Sequence, residues 1–145
     1  MSTRHVLVPI DGSAGAWTAL DHAIETFERG RVTTLTVVDP VAELSEDASP
    51  GDAQRRTQGG DLDRAAALGE RARERIADTG GDEFEHDHEV MIGRPARAIV
   101  DYATDHDVDH VVVGSHGRTG LSRILLGSVA ETVSRRSPVT VTIVR

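Results

Sequence analysis

Apolar residues in this chain switch repeatedly between two spacings. His5-Val6-Leu7-Val8-Pro9 is a short apolar run ending in Ile10-Asp11-Gly12-Ser13, the punctuation of a strand giving way to a turn and a helix. Trp17, Leu20, Ile24 and Phe27 then recur at i, i+3, i+7 and i+10, one face of a helix of about four turns that Gly30 stops. Val32 to Val38 is β-branched and mostly apolar, which predicts a second strand buried on both faces, as in a parallel sheet. From Asp39 to Gly60 the pattern dissolves into Pro, Gly, Ser, Asp and Gln, a loop of about 20 residues, long enough to be either mobile or a lid.

Beyond the loop, Asp61 to Asp78 carries Ala65, Gly69, Ala72 and Ile76 at helical spacing, and Gly80-Gly81 ends it. Phe84, His86, His88 and Val90 alternate with Glu83, Glu85, Asp87 and Glu89, the pattern of a half-exposed strand at a sheet edge. Gly93-Arg94-Pro95 opens a third helix, with Ile99, Tyr102 and Ala103 as its inward stripe. His110 to Val113 reads as the fourth strand, Ser128 to Arg136 as the core of a fourth helix, and Val139 to Val144 as the fifth strand. The order β-α-β-α-β-α-β-α-β, with right-handed crossovers, predicts an α/β fold: a parallel sheet with helices on both faces.

At 145 residues the chain fits a single domain, 1–145, of the usual size. No apolar run reaches the roughly 18–20 residues that cross a bilayer. The opening MSTRHVLVPIDGS lacks the basic-then-apolar layout of a signal peptide, so a cytoplasmic location is expected. There is no cysteine, which excludes a disulfide framework, a thiolate nucleophile and a zinc-thiolate site. Acidic residues number 24 against 16 basic ones, a formal charge of −8, and every basic residue is arginine. Such a surface repels nucleic-acid phosphates and anionic lipid, so neither nucleic acid nor membrane is an expected partner. Acidity without lysine also fits a halophilic cytoplasm, and a GC-rich genome accounts for the arginines equally well.

Candidate chemistry concentrates at two strand ends. In open α/β sheets, ligands bind beyond the carboxyl ends of the strands, where the winding reverses. Pro9-Ile10-Asp11-Gly12-Ser13 follows the first strand, and Gly114-Ser115-His116-Gly117 follows Val111-Val112-Val113. If strands 1 and 4 are neighbours, both turns line one crevice. Gly114 and Gly117 let the backbone approach a ligand and offer its amides. Gly127-Ser128 stands at a helix start, where amides and the positive end of the dipole favour a phosphate and the hydroxyl adds a donor. His116 and Arg118 suit an anion or merely solvate the loop. Asp11 could cap the first helix or meet a metal–phosphate group.

The spacing Gly114-x2-Gly117-x9-Gly127-Ser128 resembles the nucleotide-binding signature of the universal stress protein family. The resemblance runs nearly end to end: Val-Pro-Ile-Asp-Gly-Ser after strand 1, Thr36-Val37-Val38-Asp39 after strand 2, Gly93-Arg94-Pro95, and Val139 to Val144. It implies an open, Rossmann-like, five-stranded parallel sheet in the order 3-2-1-4-5, related to the adenine nucleotide α-hydrolase folds. It also implies a homodimer paired through Val139 to Val144 and bound ATP with Mg2+ or Mn2+. By the same resemblance Asp11 would contact the ribose or the metal–phosphate end, and the Val37 backbone would recognise adenine. Pro9 and Val113 would pack near the base. Gly114, Ser115, His116, Gly117, Arg118, Gly127, Ser128 and Val129 would surround ribose and phosphates.

Other chemistries fit less well. A Walker loop needs a lysine, and there is none. A dinucleotide fingerprint wants G-x-G-x-x-G after strand 1, where only Asp11-Gly12-Ser13-Ala14-Gly15 stands. Gly114-Ser115-His116-Gly117 matches a nucleophile elbow poorly. Asp105-His106-Asp107-Val108-Asp109-His110 alternates acids like a calcium loop, but His110 stands where that loop needs glycine and His116 where it needs glutamate, so a solvated turn is expected. His86 and His88 would lie about 7 Å apart on one strand face, close enough to share a metal, but no third ligand is in view. The expectation is an ATP-binding stress-response or signalling module with at most slow hydrolysis and no catalytic residues of its own. The alternatives are a dimeric interaction protein with an empty pocket, its specificity in the long loop, and an α-hydrolase-like enzyme.

Overall fold

A computed structural model of the chain describes residues 4–40, 60–115 and 126–145. The strands are β1 (His5–Pro9), β2 (Gly30–Val38), β3 (Phe84–Ile92), β4 (His110–Gly114) and β5 (Thr140–Val144). The helices are α1 (Ala14–Phe27), α2 (Asp61–Gly80), α3 (Pro95–Asp105) and α4 (Ser128–Arg136), with a 3-10 turn at Gly81–Glu83. All strand pairings are parallel, and the order is β3-β2-β1-β4-β5, as expected.

Strand alternation sorts the core into two layers. Val6, Val8, Ile10 and Val112 pack with Trp17, Leu20 and Ile24 of α1 and with Leu68, Ala72 and Ile76 of α2. Leu7, Leu35 and Val111 face the other way, onto Ile99, Tyr102 and Ala103 of α3 and Val133 of α4. Successive residues of one strand therefore serve opposite faces, which is why β1 and β4 are apolar without interruption.

Three local details differ from the pattern reading. Helix α1 ends through Glu28, which takes φ 60, and Gly30 already belongs to β2. Its cap is Ser13, whose Oγ accepts from the Ala16 amide at 3.2 Å. Val90 does not continue the inward row of Phe84, His86 and His88. Helix α2 meets that row at His88, through the Ala65 carbonyl and Gly69, and Val90 beyond it is exposed, as is Ile92 at 66%.

The seam between α1 and α2 is polar at its rim. Arg75 grips Asp21 through two bonds of 2.7 and 2.8 Å. The guanidinium carbons of Arg71 and Arg75 lie 4.7 and 5.6 Å from the centre of the buried Trp17 ring. At the other end of the sheet, the Asp109 carboxylate accepts from the His5 amide at 2.8 Å while the Asp109 amide donates to the His5 carbonyl. The acidic stretch after α3 is thus a turn that locks β4 beside β1, as its solvated-turn reading expects.

Candidate functional site

The polypeptide leaves β1 through a turn that closes on itself. Asp11 Oδ1 accepts from the Ser13 amide at 2.9 Å, so the aspartate shapes the turn and leaves helix capping to Ser13. The Ile10 amide donates to Leu35 and Thr36 Oγ1 donates back to the Ile10 carbonyl, both across to β2. Asp11 is therefore held at the carboxyl end of the sheet by bonds on both sides of it in sequence.

A shallow cleft open to solvent lies there. Asp11 forms one side; Thr36, Val37, Val38 and Asp39 at the end of β2 form the floor; Asp61, Arg64, Ala65 and Leu68 on the first turns of α2 form the far wall. Two of the sequence-predicted residues, Asp11 and Val37, meet in this cleft. Pro9 is half-buried in register with Leu35, and Val113 is buried in β4; neither lines the cleft. The α2 wall went unread in the sequence, although a signal for it exists. Asp61, Arg64, Ala65 and Leu68 share the i, i+3, i+4, i+7 stripe, and a charged pair opening an otherwise apolar stripe marks the part of a helix that faces something polar.

The second predicted cluster lies across β1. Strands β1 and β4 are neighbours, and Gly114 comes so close to α1 that a Cβ on it would stand 2.8 Å from the Gly15 carbonyl. The glycine is required by that approach, and it brings the end of β4 against the turn after β1. Ser115 and Gly127 also tie the strand ends together. The Ser115 amide donates to the Val144 carbonyl at 2.8 Å, and the Gly127 amide to the Ser115 carbonyl at 2.6 Å. These two amides tie β4 to β5 and to the start of α4. The first intrahelical bond of α4 is Glu131 to Gly127, so the amides of Ser128, Val129 and Ala130 have no partner within the helix, and Ser128 beside them is exposed. His116, Gly117 and Arg118 lie outside the described residues.

No described group of three His, Asp or Glu side chains could hold a metal ion. His86 and His88, the candidate pair, both bond the Thr34 hydroxyl. No described helix is long and apolar enough to cross a membrane.

The model of the universal stress protein family matches residues 2–145. Universal stress protein MJ0577 of Methanocaldococcus jannaschii is 30% identical, over 98% of this chain and 94% of its own. The solved structure of hypothetical protein MJ0577 superposes with a TM-score of 0.80 at 31% identity, covering 99% of this chain and 96% of that one. A universal stress protein solved in complex with cAMP superposes at 0.69 with 28% identity, covering 100% and 99%. Matches of this length, on a sheet ordered 3-2-1-4-5 with its glycines at the end of β4, make the chain a member of the universal stress protein family.

Proposed function

We propose that the protein binds an adenine nucleotide, ATP with Mg2+ or Mn2+, across the carboxyl ends of β2, β1 and β4. The observation that carries this reading is the cleft itself. It lies at the sheet end where nucleotides bind in such folds, with Asp11 and Val37 in its lining. Val37 and Leu68 supply apolar surface for the base. The Asp11 carboxylate faces the ribose or a phosphate-bound divalent ion, and the first turn of α4 receives the outer phosphates through Ser128 and Val129. A relative of 28% identity holds cAMP, which supports the adenine nucleotide class. Little in the described residues would activate a water at a γ-phosphate, so the nucleotide is held and sensed, with at most slow hydrolysis.

Dimerisation through β5 belongs to the same reading. Thr140–Val144 is an edge strand, exposed at Thr140 and half-buried beyond it, with no charge among its residues and open to pairing with a second copy. A second reading is favoured by the bonded Ser115 and Gly127 amides: a dimeric interaction protein whose pocket stays empty in the cell.

Mass spectrometry of the small molecules released on denaturing the purified protein separates the two. Co-purified adenine nucleotide, together with loss of ATP binding in Gly127→Val at unchanged fold, is the expected result. No released ligand and no thermal shift with ATP and magnesium would leave the second reading standing.

A further inference from the structure

Charge is unevenly placed around the cleft. Among the described residues its lining carries three carboxylates, Asp11, Asp39 and Asp61, and one cation, Arg64. Three carboxylates by themselves repel a phosphate, so the guanidinium among them decides whether an anionic ligand is tolerated. Its place is well defined. A Cβ added to Gly12 would stand 3.6 Å from Arg64 Nη2, and 3.5 and 3.9 Å from Leu68 Cδ2 and Cδ1. The side chain therefore crosses from α2 to the turn after β1 and lays its guanidinium beside the residue that follows Asp11. Gly12, at φ 88, has no side chain to hold it off.

The helix sets where along a ligand this cation acts. Asp61, Ala65 and Leu68 are buried and fix the face that α2 turns to the sheet, while Arg64 among them is exposed. Helix α2 runs antiparallel to β3, from Ala65 beside His88 to Gly80 beside Phe84 at the strand's start. Arg64 thus stands at the rim of the cleft and Leu68 one turn deeper.

We propose that Arg64 is a specificity-determining residue of the cleft: its guanidinium receives the phosphate joined to the ribose, so that the cleft takes a nucleoside 5′-phosphate in preference to the bare nucleoside. The inference rests on the nucleotide reading and deepens it. A base against Val37 and Leu68 directs its sugar toward the rim, where the first phosphate meets α2 and the outer ones continue to α4. A guanidinium suits the task, because it is permanently charged and sets two parallel N–H groups against two phosphate oxygens. An ammonium would keep the charge and lose the fork. The surrounding carboxylates sharpen the choice, since they offset the guanidinium for a small free anion and leave a gain only for a phosphate that the base holds in place.

Calorimetry at pH 7.5 with adenosine, AMP, and ATP with magnesium tests this on wild type, Arg64→Gln and Arg64→Lys. Because Arg64 is exposed, both variants keep the packing of Ala65 and Leu68, and adenosine affinity within about twofold of wild type reports an intact cleft. Wild type should bind AMP more tightly than adenosine. The ratio of the two affinities should fall about tenfold in Arg64→Gln, the loss of one charge-assisted contact, and recover in part in Arg64→Lys. ATP should follow AMP. A ratio unchanged in Arg64→Gln overturns the inference and leaves the nucleotide reading in place. An equal loss of AMP and adenosine also overturns it, and makes Arg64 a strut between α2 and the turn. If wild type binds none of the three, the nucleotide reading falls and the inference falls with it.

Discussion

On one side of β1, β2 and β3 pair over nine positions, from Gly30 with Phe84 to Val38 with Ile92; on the other, β4 and β5 pair over five, from His110 with Thr140 to Gly114 with Val144. The long half is threaded with hydroxyls and imidazoles. Thr33 meets His5 on one face, and Thr34 meets His86 and His88 on the other. The short half is built on Val111, Val112 and Val113, with His110 and Thr142 as a polar pair at 2.6 Å. The long strands run past β1 far enough to floor a cleft. The short strand stops at Gly114, where backbone meets backbone. One half shapes its end by side chains that can give, the other by main chain that cannot.

Substitutions at the two tight glycines should break the halves unequally. Gly114→Val pushes against the Gly15 carbonyl, which has nowhere to move, and should cost about 3 kcal/mol in denaturant unfolding. Gly69→Ala pushes against the His88 ring, which can rotate once it surrenders Thr34 and Ala65, and should cost about 2 kcal/mol. Equal losses would erase the distinction.

Acid should come next in size, and it should act mainly on the long half. His5, His86, His88 and His110 are all held below the usual histidine value, chiefly by burial. Groups kept neutral in the folded state favour protonation of the unfolded chain. Stability should therefore be full above about pH 7 and fall as pH drops below about 6.5, toward the lowered folded values. Melting temperatures from pH 8 to 5 check this, and His88→Gln should flatten the slope more than His110→Gln. The smallest effect belongs to Thr142→Val. It removes the partner of a half-buried His110 that water can replace, for about 0.5–1 kcal/mol.

Most of the fold was legible because strand and helix periods rarely compete in this chain. Strand β1, helix α4 and the inward stripes of α1 and α3 stand where their spacing puts them. The cleft was half legible. Asp11 and Val37 sit at strand ends, where a topological rule points; the stripe of Asp61, Arg64, Ala65 and Leu68 marks a polar-facing stretch of α2, but which part of the sheet it faces is set only by how α2 packs. The glycine signature was read as a row of offered amides. The Ser115 amide bonds Val144 because β5 passes within reach of β4, a contact between segments far apart in sequence, and the Gly127 amide bonds the Ser115 carbonyl in turn. The histidines of β3 were read as surface or as half a metal site, since the hydroxyl that joins them comes from another strand.

Trp17 is the only tryptophan in the chain, and it stands in the α1–α2 seam under two guanidinium groups. Any rotation or slippage of α2 must change how those cations lie over the indole, and so its emission. The molecule thus carries an intrinsic fluorophore at the boundary whose motion matters most, and stopped-flow mixing with nucleotide or acid could follow that boundary in real time without a label.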